Sequence, residues 1–328
     1  MSSFQRFISN ISWSVLGKVC VQILLFGVSI LLTRYLGKER LGDYATLLVI
    51  PVFIRLMNSL GLETLINKKL PELNVQDPSG LQGKYLVGRL LVLRFLTTFC
   101  FCILLYFILP FYLDFINYQQ LIEFRWILIL YFIVITVDSI LSTLFMTLLR
   151  FKTLAKTEIL GALLNLILLG LFISLDYGIS GVLYAYIFSA SVTSIIYLVL
   201  ARRQYIGPTK KPEWDDMGHL AWVSYGISFL GFGLMTQSDV LLLNFFNVGR
   251  GDVGLYHLVT GLGGTMAFLL AGVAPMALSL FSETFAKDGI KSLSNLYCQI
   301  VGLASYLTIP IYVFCVLNSS HVINFIYG

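Results

Sequence analysis

Long apolar stretches separated by short polar connections occupy almost the whole chain. Nine of these stretches reach the roughly 20 residues that one helix needs to cross the hydrocarbon core of a bilayer. The predicted membrane-spanning helices are 11–35, 43–67, 85–110, 123–149, 154–175, 178–201, 218–246, 252–282 and 293–316. The pattern therefore predicts an all-α polytopic membrane protein with about nine transmembrane helices.

Composition supports this class. Hydrophobic residues make up 58% of the chain and charged residues 12%, whereas a soluble domain carries about 25% charged residues. The cysteines Cys20, Cys100, Cys102, Cys298 and Cys315 fall within or at the edge of apolar stretches, without metal-type spacing. We interpret them as free thiols that pack as small apolar residues.

The basic residues predict the orientation. With the N-terminus inside, fourteen lysines and arginines fall in inner segments and five in outer segments. Such an excess is typical of cytoplasmic loops. We therefore expect a cytoplasmic N-terminus, and the net charge of +5 is attributed to topology and not to a nucleic-acid partner.

A faint internal repeat predicts the domain organisation. The outer turns after helices 1 and 7 both end in Gly-x-Tyr, at Gly42-Asp43-Tyr44 and at Gly254-Leu255-Tyr256. Helices 1 and 7 both begin at the inner face, so the repeat is parallel. We predict a first six-helix bundle over 1–204 and a partial second bundle over 205–328, holding helices 7–9 and the start of a tenth. A C-terminally truncated protein is the resulting expectation.

Ionisable residues deep in the predicted helices are the candidate functional groups, because such residues are costly in a bilayer and tend to be functional. Arg55 and Asp138 lie near the middle of helices 2 and 4, and Asp239 lies in the outer half of helix 7. Lys18 lies about two turns into helix 1. Arg94 is nearer the inner surface, where we expect its side chain to reach the water.

Polar residues share helix faces with these groups by their i, i+3 and i+4 spacing. The four stripes are Ser14, Lys18, Gln22, Ser29 and Thr33; Arg55, Asn58 and Ser59; Asp138, Ser139, Ser142 and Thr143; and Ser224, Ser228, Gly231, Met235 and Asp239. Since polar stripes are disfavoured against lipid, we expect a shared central cavity. The alternative is that the charged groups only pair with one another as packing contacts.

Several residues could allow the helices to bend. Pro51 is expected to interrupt helix 2 one turn before Arg55, because proline lacks a backbone donor and clashes with the preceding turn. Gly272 and Pro275 are the equivalent candidate hinge in helix 8. Close packing by small residues is an equally good explanation of the glycines.

Short motifs indicate a resemblance. The start Phe4–Asn10, the turn Leu32–Tyr44, its counterpart Val253–Tyr256 and the final Ile323–Gly328 resemble the Wzx-type polysaccharide flippase family. That family belongs to the multidrug/oligosaccharidyl-lipid/polysaccharide exporter superfamily, whose members have twelve or more helices in two bundles around a central cavity. This chain departs from the pattern by lacking the last helices.

The resemblance implies a function. A member would move undecaprenyl-pyrophosphate-linked oligosaccharide repeat units from the inner to the outer leaflet of the bacterial cytoplasmic membrane, by alternating access, for surface polysaccharides such as O-antigen. Arg55 and Lys18 would bind the anionic substrate, with Gln22, Asn58 and Ser59 as further cavity residues. Asp239 and Asp138 would balance charge or carry a coupling proton or cation.

The resemblance to polysaccharide flippases also implies partners. They are the lipid-linked oligosaccharide and membrane lipid, with a polysaccharide polymerase and chain-length proteins as candidates. No cofactor, metal or catalytic residue is expected, since no nucleotide-binding loop, nucleophile elbow or zinc-protease motif occurs.

Three alternatives stay open. A drug/cation antiporter of the same superfamily would need a cavity dominated by acids. A membrane-embedded polysaccharide-processing enzyme would need a large outer loop or an intramembrane His/Asp pair. A structural assembly factor would need polar stripes that satisfy one another without a cavity.

Overall fold

The structure is a computed structural model that describes residues 3–148, 150–211, 217–233, 237–318 and 321. Every regular element within these residues is helical, which confirms the predicted all-α class. The α-helices are α1 Ser3–Ser59, α2 Leu62–Gln76, α3 Leu81–Phe115, α4 Arg125–Thr147, α5 Phe151–Ser174, α6 Gly178–Tyr205, α7 Met217–Gly233, α8 Gln237–Phe245 and α9 Arg250–Leu317, and a 3-10 turn covers Gln119–Phe124.

The chain is a multi-pass membrane protein. Among the described residues, five helical segments are long and apolar enough to cross a membrane: Leu16–Ser59, Leu81–Phe115, Gln119–Thr147, Phe151–Ser174 and Gly178–Tyr205. At about 1.5 Å per residue, the first of these is roughly 66 Å long, about twice a bilayer core. Gly37 interrupts it with non-helical dihedral angles (φ 69°, ψ 179°), between the predicted helices 11–35 and 43–67.

The predicted helix 43–67 is wrong at its C-terminal end. The helix ends at Ser59, and Leu60 and Gly61 both adopt positive φ angles of 46° and 71°. Glycine tolerates this conformation because it has no Cβ. The apolar residues that extended the sequence prediction begin α2 instead, where Leu62 and Ile66 are buried against α3 and α4.

Two further boundaries differ from the prediction. The single helix predicted at 218–246 corresponds to α7 and α8. Conversely, α9 includes both predicted helices 252–282 and 293–316. The connection between them contains no proline, so its backbone can keep helical hydrogen bonds.

The candidate hinge residues lie within helices. Pro51 is inside α1, and the break that the sequence assigned to it occurs two turns later, at Leu60 and Gly61. Gly272 and Pro275 lie inside α9, and their surroundings are outside the described set. A hinge role for these three residues stays a prediction.

Three clusters of buried apolar side chains join the described helices. One cluster packs Leu47 of α1 against α3, α4, α8 and Val253 of α9. A second packs Val28 of α1 against α5, α6 and Leu258 of α9. The third holds α2 on α3, α4 and α6. Helices α8 and α9 therefore pack directly on α1.

The two Gly-x-Tyr turns that resemble each other in sequence contact each other in space. Lys38 Nζ lies 3.4 Å from Asp252 Oδ1, and Arg250 Nε lies 3.7 Å from Asp43 Oδ1. Lys38 and Arg250 occupy matching positions in the repeat predicted from the sequence, and each pairs with a carboxylate of the other turn. We refer to this contact, made by Lys38–Tyr44 and Arg250–Tyr256, as the turn pair.

Glycines allow the turn pair to close. A Cβ on Gly254 would lie 2.7 Å from the backbone nitrogen of Gly42, and a Cβ on Gly42 would overlap the carbonyl oxygen of Arg250. Real Cβ atoms do not approach backbone atoms so closely. A side chain at either position would therefore force the two turns apart.

We predict that Gly42→Ala destabilises the protein by about 1–3 kcal/mol through overpacking. The matched control is Gly170→Ala in α5, where a Cβ would meet open space. Thermal unfolding in detergent should give a lower midpoint for Gly42→Ala than for Gly170→Ala. Equal midpoints would contradict the close approach of the two turns.

Candidate functional site

Two hydroxyl groups of α6 hold the carboxylate of Asp138, which lies on α4. Its Oδ1 accepts hydrogen bonds from Thr193 Oγ1 at 2.7 Å and from Ser194 Oγ at 3.3 Å. Arg55 of α1 lies near enough to interact electrostatically with the same carboxylate. Arg55 and Asp138, which the sequence predicted at mid-depth of different helices, therefore lie within electrostatic range of each other.

Lys18 and a second carboxylate extend this region. Glu158 of α5 is half-buried and interacts electrostatically with Lys18 and with Asp138. Arg55, Asp138, Lys18 and Glu158 thus form a group of two cations and two carboxylates, contributed by α1, α4 and α5. We call it the charged cluster.

Small residues bring the helices of the charged cluster together. A Cβ on Gly17 would lie 2.5 Å from Ala155 Cβ, next to Lys18 on α1 and one turn from Glu158 on α5. A Cβ on Gly161 would lie 2.5 Å from Thr193 Cγ2. Close helix packing through small residues is common in membranes, and here it positions the charged side chains across narrow interfaces.

Asn58 belongs to a neighbouring polar group. It is fully buried, its Nδ2 donates to Thr98 Oγ1 at 3.0 Å, and its backbone carbonyl oxygen accepts from Arg94 Nη1. The Ser59 hydroxyl is buried and has no hydrogen-bond partner within the described residues. Arg55 and Asn58, which were predicted on one helix face, therefore have different neighbours: Arg55 interacts with Asp138 of α4, and Asn58 bonds Thr98 of α3.

The expectation that Arg94 reaches the water is wrong. Arg94 is only 3% exposed, and its Nη2 lies 2.5 Å from Glu63 Oε1 of α2. Ser139 Oγ lies 3.4 Å from the same carboxylate oxygen. The turn at Leu60 and Gly61 folds α2 back against α3 and α4, which supplies a nearby partner for the guanidinium.

Gln22 lines a cavity of about 240 Å³ between α1, α6 and α9. Ser29 and Thr33 of the same predicted stripe line it too, together with Tyr44, Tyr186 and His257. Lys18 lies four residues before Gln22, on the same helix face. The stripe predicted on helix 1 therefore borders a space between the first six helices and α9.

Asp239 lies apart from these groups. Its Oδ2 accepts a hydrogen bond of 2.5 Å from the Tyr256 hydroxyl of α9, so the structure pairs it within the second half of the chain. One turn further along α8, the fully buried Asn244 donates through Nδ2 to Thr46 Oγ1 of α1 at 3.1 Å. This bond links α8 to the first half.

Sequence reasoning missed Glu158, Glu63 and His257. Glu158 follows Arg150, Lys152 and Lys156 and resembles an ordinary helix-end charge. The available signal was its spacing to Gly161 and Asn165, which places all three on one face of α5. Glu63 could not be found in this way, because the helix was predicted to continue through it.

Comparison with known proteins decides the family. A family model described as polysaccharide biosynthesis protein matches residues 7–285, which is most of the chain. The chain belongs to this family. The resemblance to polysaccharide flippases is thereby confirmed. No curated protein matches the chain.

Solved structures show the same fold. A multidrug resistance MATE family transporter of the MOP superfamily matches in its inward-facing conformation with a TM-score of 0.66 and 16% identity, over 92% of this chain and 70% of that chain. A MOP superfamily transporter from Pyrococcus furiosus matches with a TM-score of 0.67 and 17% identity, over 98% and 73%. The polysaccharide biosynthesis protein thus has a MOP superfamily transporter fold.

We predict that Arg94→Ala lowers stability by about 3 kcal/mol, because it leaves the Glu63 carboxylate without its cation inside the bundle. Combining it with Glu63→Gln should restore part of the loss. Arg89→Ala, which removes an exposed arginine of the same helix, is the matched control. Protein abundance in membranes and the thermal midpoint measure the effect, and an Arg94→Ala protein as stable as Arg89→Ala would exclude a stabilising ion pair.

Proposed function

We propose that this protein is a flippase for a lipid-linked oligosaccharide repeat unit carried on undecaprenyl pyrophosphate. It moves the unit from the inner to the outer leaflet of the bacterial cytoplasmic membrane by alternating access, with its N-terminus in the cytoplasm. The observation that carries the proposal is a polar group inside membrane-spanning helices, where Asp138 accepts hydrogen bonds from Thr193 and Ser194 within electrostatic range of Arg55, in a chain of the polysaccharide biosynthesis family.

The charged cluster suits the chemistry of the proposed substrate. A pyrophosphate and its sugars cannot cross hydrocarbon without losing hydration, which is very costly for a charged group. Arg55 and Lys18 supply charge-assisted hydrogen bonds to an anion, and the guanidinium can bind it through two N–H groups. The lipid tail stays among the surrounding acyl chains.

The two carboxylates of the charged cluster have a complementary role. Asp138 and Glu158 neutralise Arg55 and Lys18 while no substrate is bound, so the cations can be kept in a low-dielectric interior. An arriving anion competes with these carboxylates. Asp239, paired with Tyr256, is the candidate for coupling to a proton or another cation.

A drug/cation antiporter is the second candidate, because one of the matching folds is a multidrug transporter. Organic cations would meet Arg55 and Lys18, and like charges repel strongly where water is scarce. A balance of two cations and two carboxylates is not the acid-dominated cavity that a cation antiporter would need, and this supports the flippase proposal. A membrane-embedded enzyme is less favoured, since the family and the similar folds point to transport.

Partners and product follow from the flippase proposal. The translocated unit would be taken up by a polysaccharide polymerase with its chain-length proteins, for a surface polysaccharide such as the O-antigen of lipopolysaccharide.

Arg55→Ala should abolish export of surface polysaccharide in cells, because it removes the cation at the middle of the membrane. Arg55→Lys should keep part of the export, since the charge remains while the two-pronged geometry is lost. The measurement is surface polysaccharide in a strain depending on the variant, normalised to protein abundance. Normal export by Arg55→Ala would reject the proposal.

A second measurement separates binding from packing. If Arg55 only neutralises Asp138, Arg55→Ala should lower abundance, and adding Asp138→Asn should restore both abundance and export. On the flippase proposal, the double variant recovers abundance while export stays absent. Asp239→Asn with Arg55→Ala is the matched control for abundance, which it should not restore, because Asp239 is bonded to Tyr256 instead.

A further inference from the structure

The cavity beside Gln22 has no role in the anion binding proposed above. It lies between α1 and α6 of the first half and α9 of the second half, with a volume of about 240 Å³. Pockets for drug-sized ligands are typically about 300–1,000 Å³. The cavity therefore has room for one small ring and not for an extended chain.

The walls are uncharged and combine polar with apolar side chains, the apolar part being supplied by Leu25, Val28, Leu32, Leu41 and Leu258. Gln22, Ser29, Thr33, Tyr44, Tyr186 and His257 contribute amide, hydroxyl and imidazole groups, and none of the described lining residues is an acid, lysine or arginine. Amides and hydroxyls both donate and accept hydrogen bonds. Such a lining is suited to a neutral ligand that carries several hydroxyl groups.

Aromatic rings give the cavity a fixed shape. The Tyr44 side chain is 3% exposed, and its hydroxyl donates to the Tyr186 hydroxyl at 3.1 Å. The His257 ring meets the Tyr44 ring edge-to-face, with 6.0 Å between the centroids. Rings held in this way offer flat apolar surfaces beside polar tips, which matches the alternating C–H and hydroxyl surface of a sugar.

Position links the cavity to the charged cluster. Lys18 and Gln22 are one turn apart on the same face of α1, which corresponds to about 6 Å along the helix. An anionic group held at Lys18 would therefore bring the group attached to it to the Gln22 end of the cavity.

We propose that this cavity is the subsite for the sugar ring bonded directly to the phosphate of the lipid-linked substrate. The inference rests on the proposed flippase function, and it adds a specificity element made of Gln22, Tyr44, Tyr186 and His257. A sugar ring can place its C–H faces against the apolar part of the lining and its hydroxyl groups against Gln22 and His257, whereas an alkyl chain would leave these two side chains without partners. Because His257 belongs to α9 and Gln22 to α1, the sugar would contact both halves of the chain.

Binding measurements on the full-length protein in lipid nanodiscs test the subsite. The probes are a panel of neutral methyl glycosides, followed by saturation-transfer NMR, and inorganic pyrophosphate, followed by phosphorus line broadening. At least one glycoside should give a transfer signal. Gln22→Leu and His257→Phe should each reduce it about fivefold or more, because one hydrogen bond is lost while side-chain size is nearly kept.

Matched variants serve as controls. His219→Phe changes an exposed histidine of α7 and Gln119→Leu changes an exposed glutamine, so both should keep the glycoside signal. Thermal midpoints verify that all variants are folded. In cells, Gln22→Leu and His257→Phe should lower polysaccharide export about tenfold, while the control variants export normally.

The two probes separate failure of the subsite from failure of the proposed function. Pyrophosphate broadening that Lys18→Ala removes, without any glycoside signal, overturns the subsite and leaves the flippase proposal in place. A glycoside signal that survives both cavity variants also overturns the subsite. A cavity-dependent glycoside signal without Lys18-dependent pyrophosphate binding supports the subsite and contradicts the anion site.

Discussion

Ionisable side chains inside a bilayer-spanning protein must find partners, because hydrocarbon offers them no solvation. Much of this structure follows from that constraint. Arg94 obtains Glu63 only because the chain turns at Leu60 and Gly61 and folds α2 back. Asp138 of α4 obtains two hydroxyl groups from α6, and Gly161 lets α5 pack closely against the same Thr193. Helix breaks and small residues therefore occur where charges need to be satisfied.

The same constraint separates two kinds of polar group. Arg94 pairs with Glu63, and Asn58 bonds Thr98, within α1, α2 and α3, which is the arrangement of a structural element. Arg55 and Lys18 are half-buried and interact electrostatically with Asp138 and Glu158, respectively. Half-buried cations of this kind can exchange a protein carboxylate for a ligand anion at lower cost than a fully enclosed pair.

Prediction from the sequence succeeded where one physical rule dominated. Hydrophobic length gave the positions of helices such as α3, α5 and α6, since a bilayer demands continuous apolar segments. It failed at 43–67, because burial against α3 and α4 requires the same apolar residues as burial in lipid. Depth in the helix identified Arg55, Lys18 and Asp138, but it could not identify Glu158, whose partner Lys18 is distant in sequence and comes near only through the Gly17–Ala155 packing. Spacing alone placed Asn58 beside Arg55, whereas contacts with α3 decide its role.

The turn pair carries information about how such a chain is assembled. Two segments distant in sequence are joined by two ion pairs, Lys38 with Asp252 and Arg250 with Asp43, and by the close approach of Gly42 to Gly254. Since each turn supplies both a base and an acid, charge as well as shape holds the start of α9 against the middle of α1.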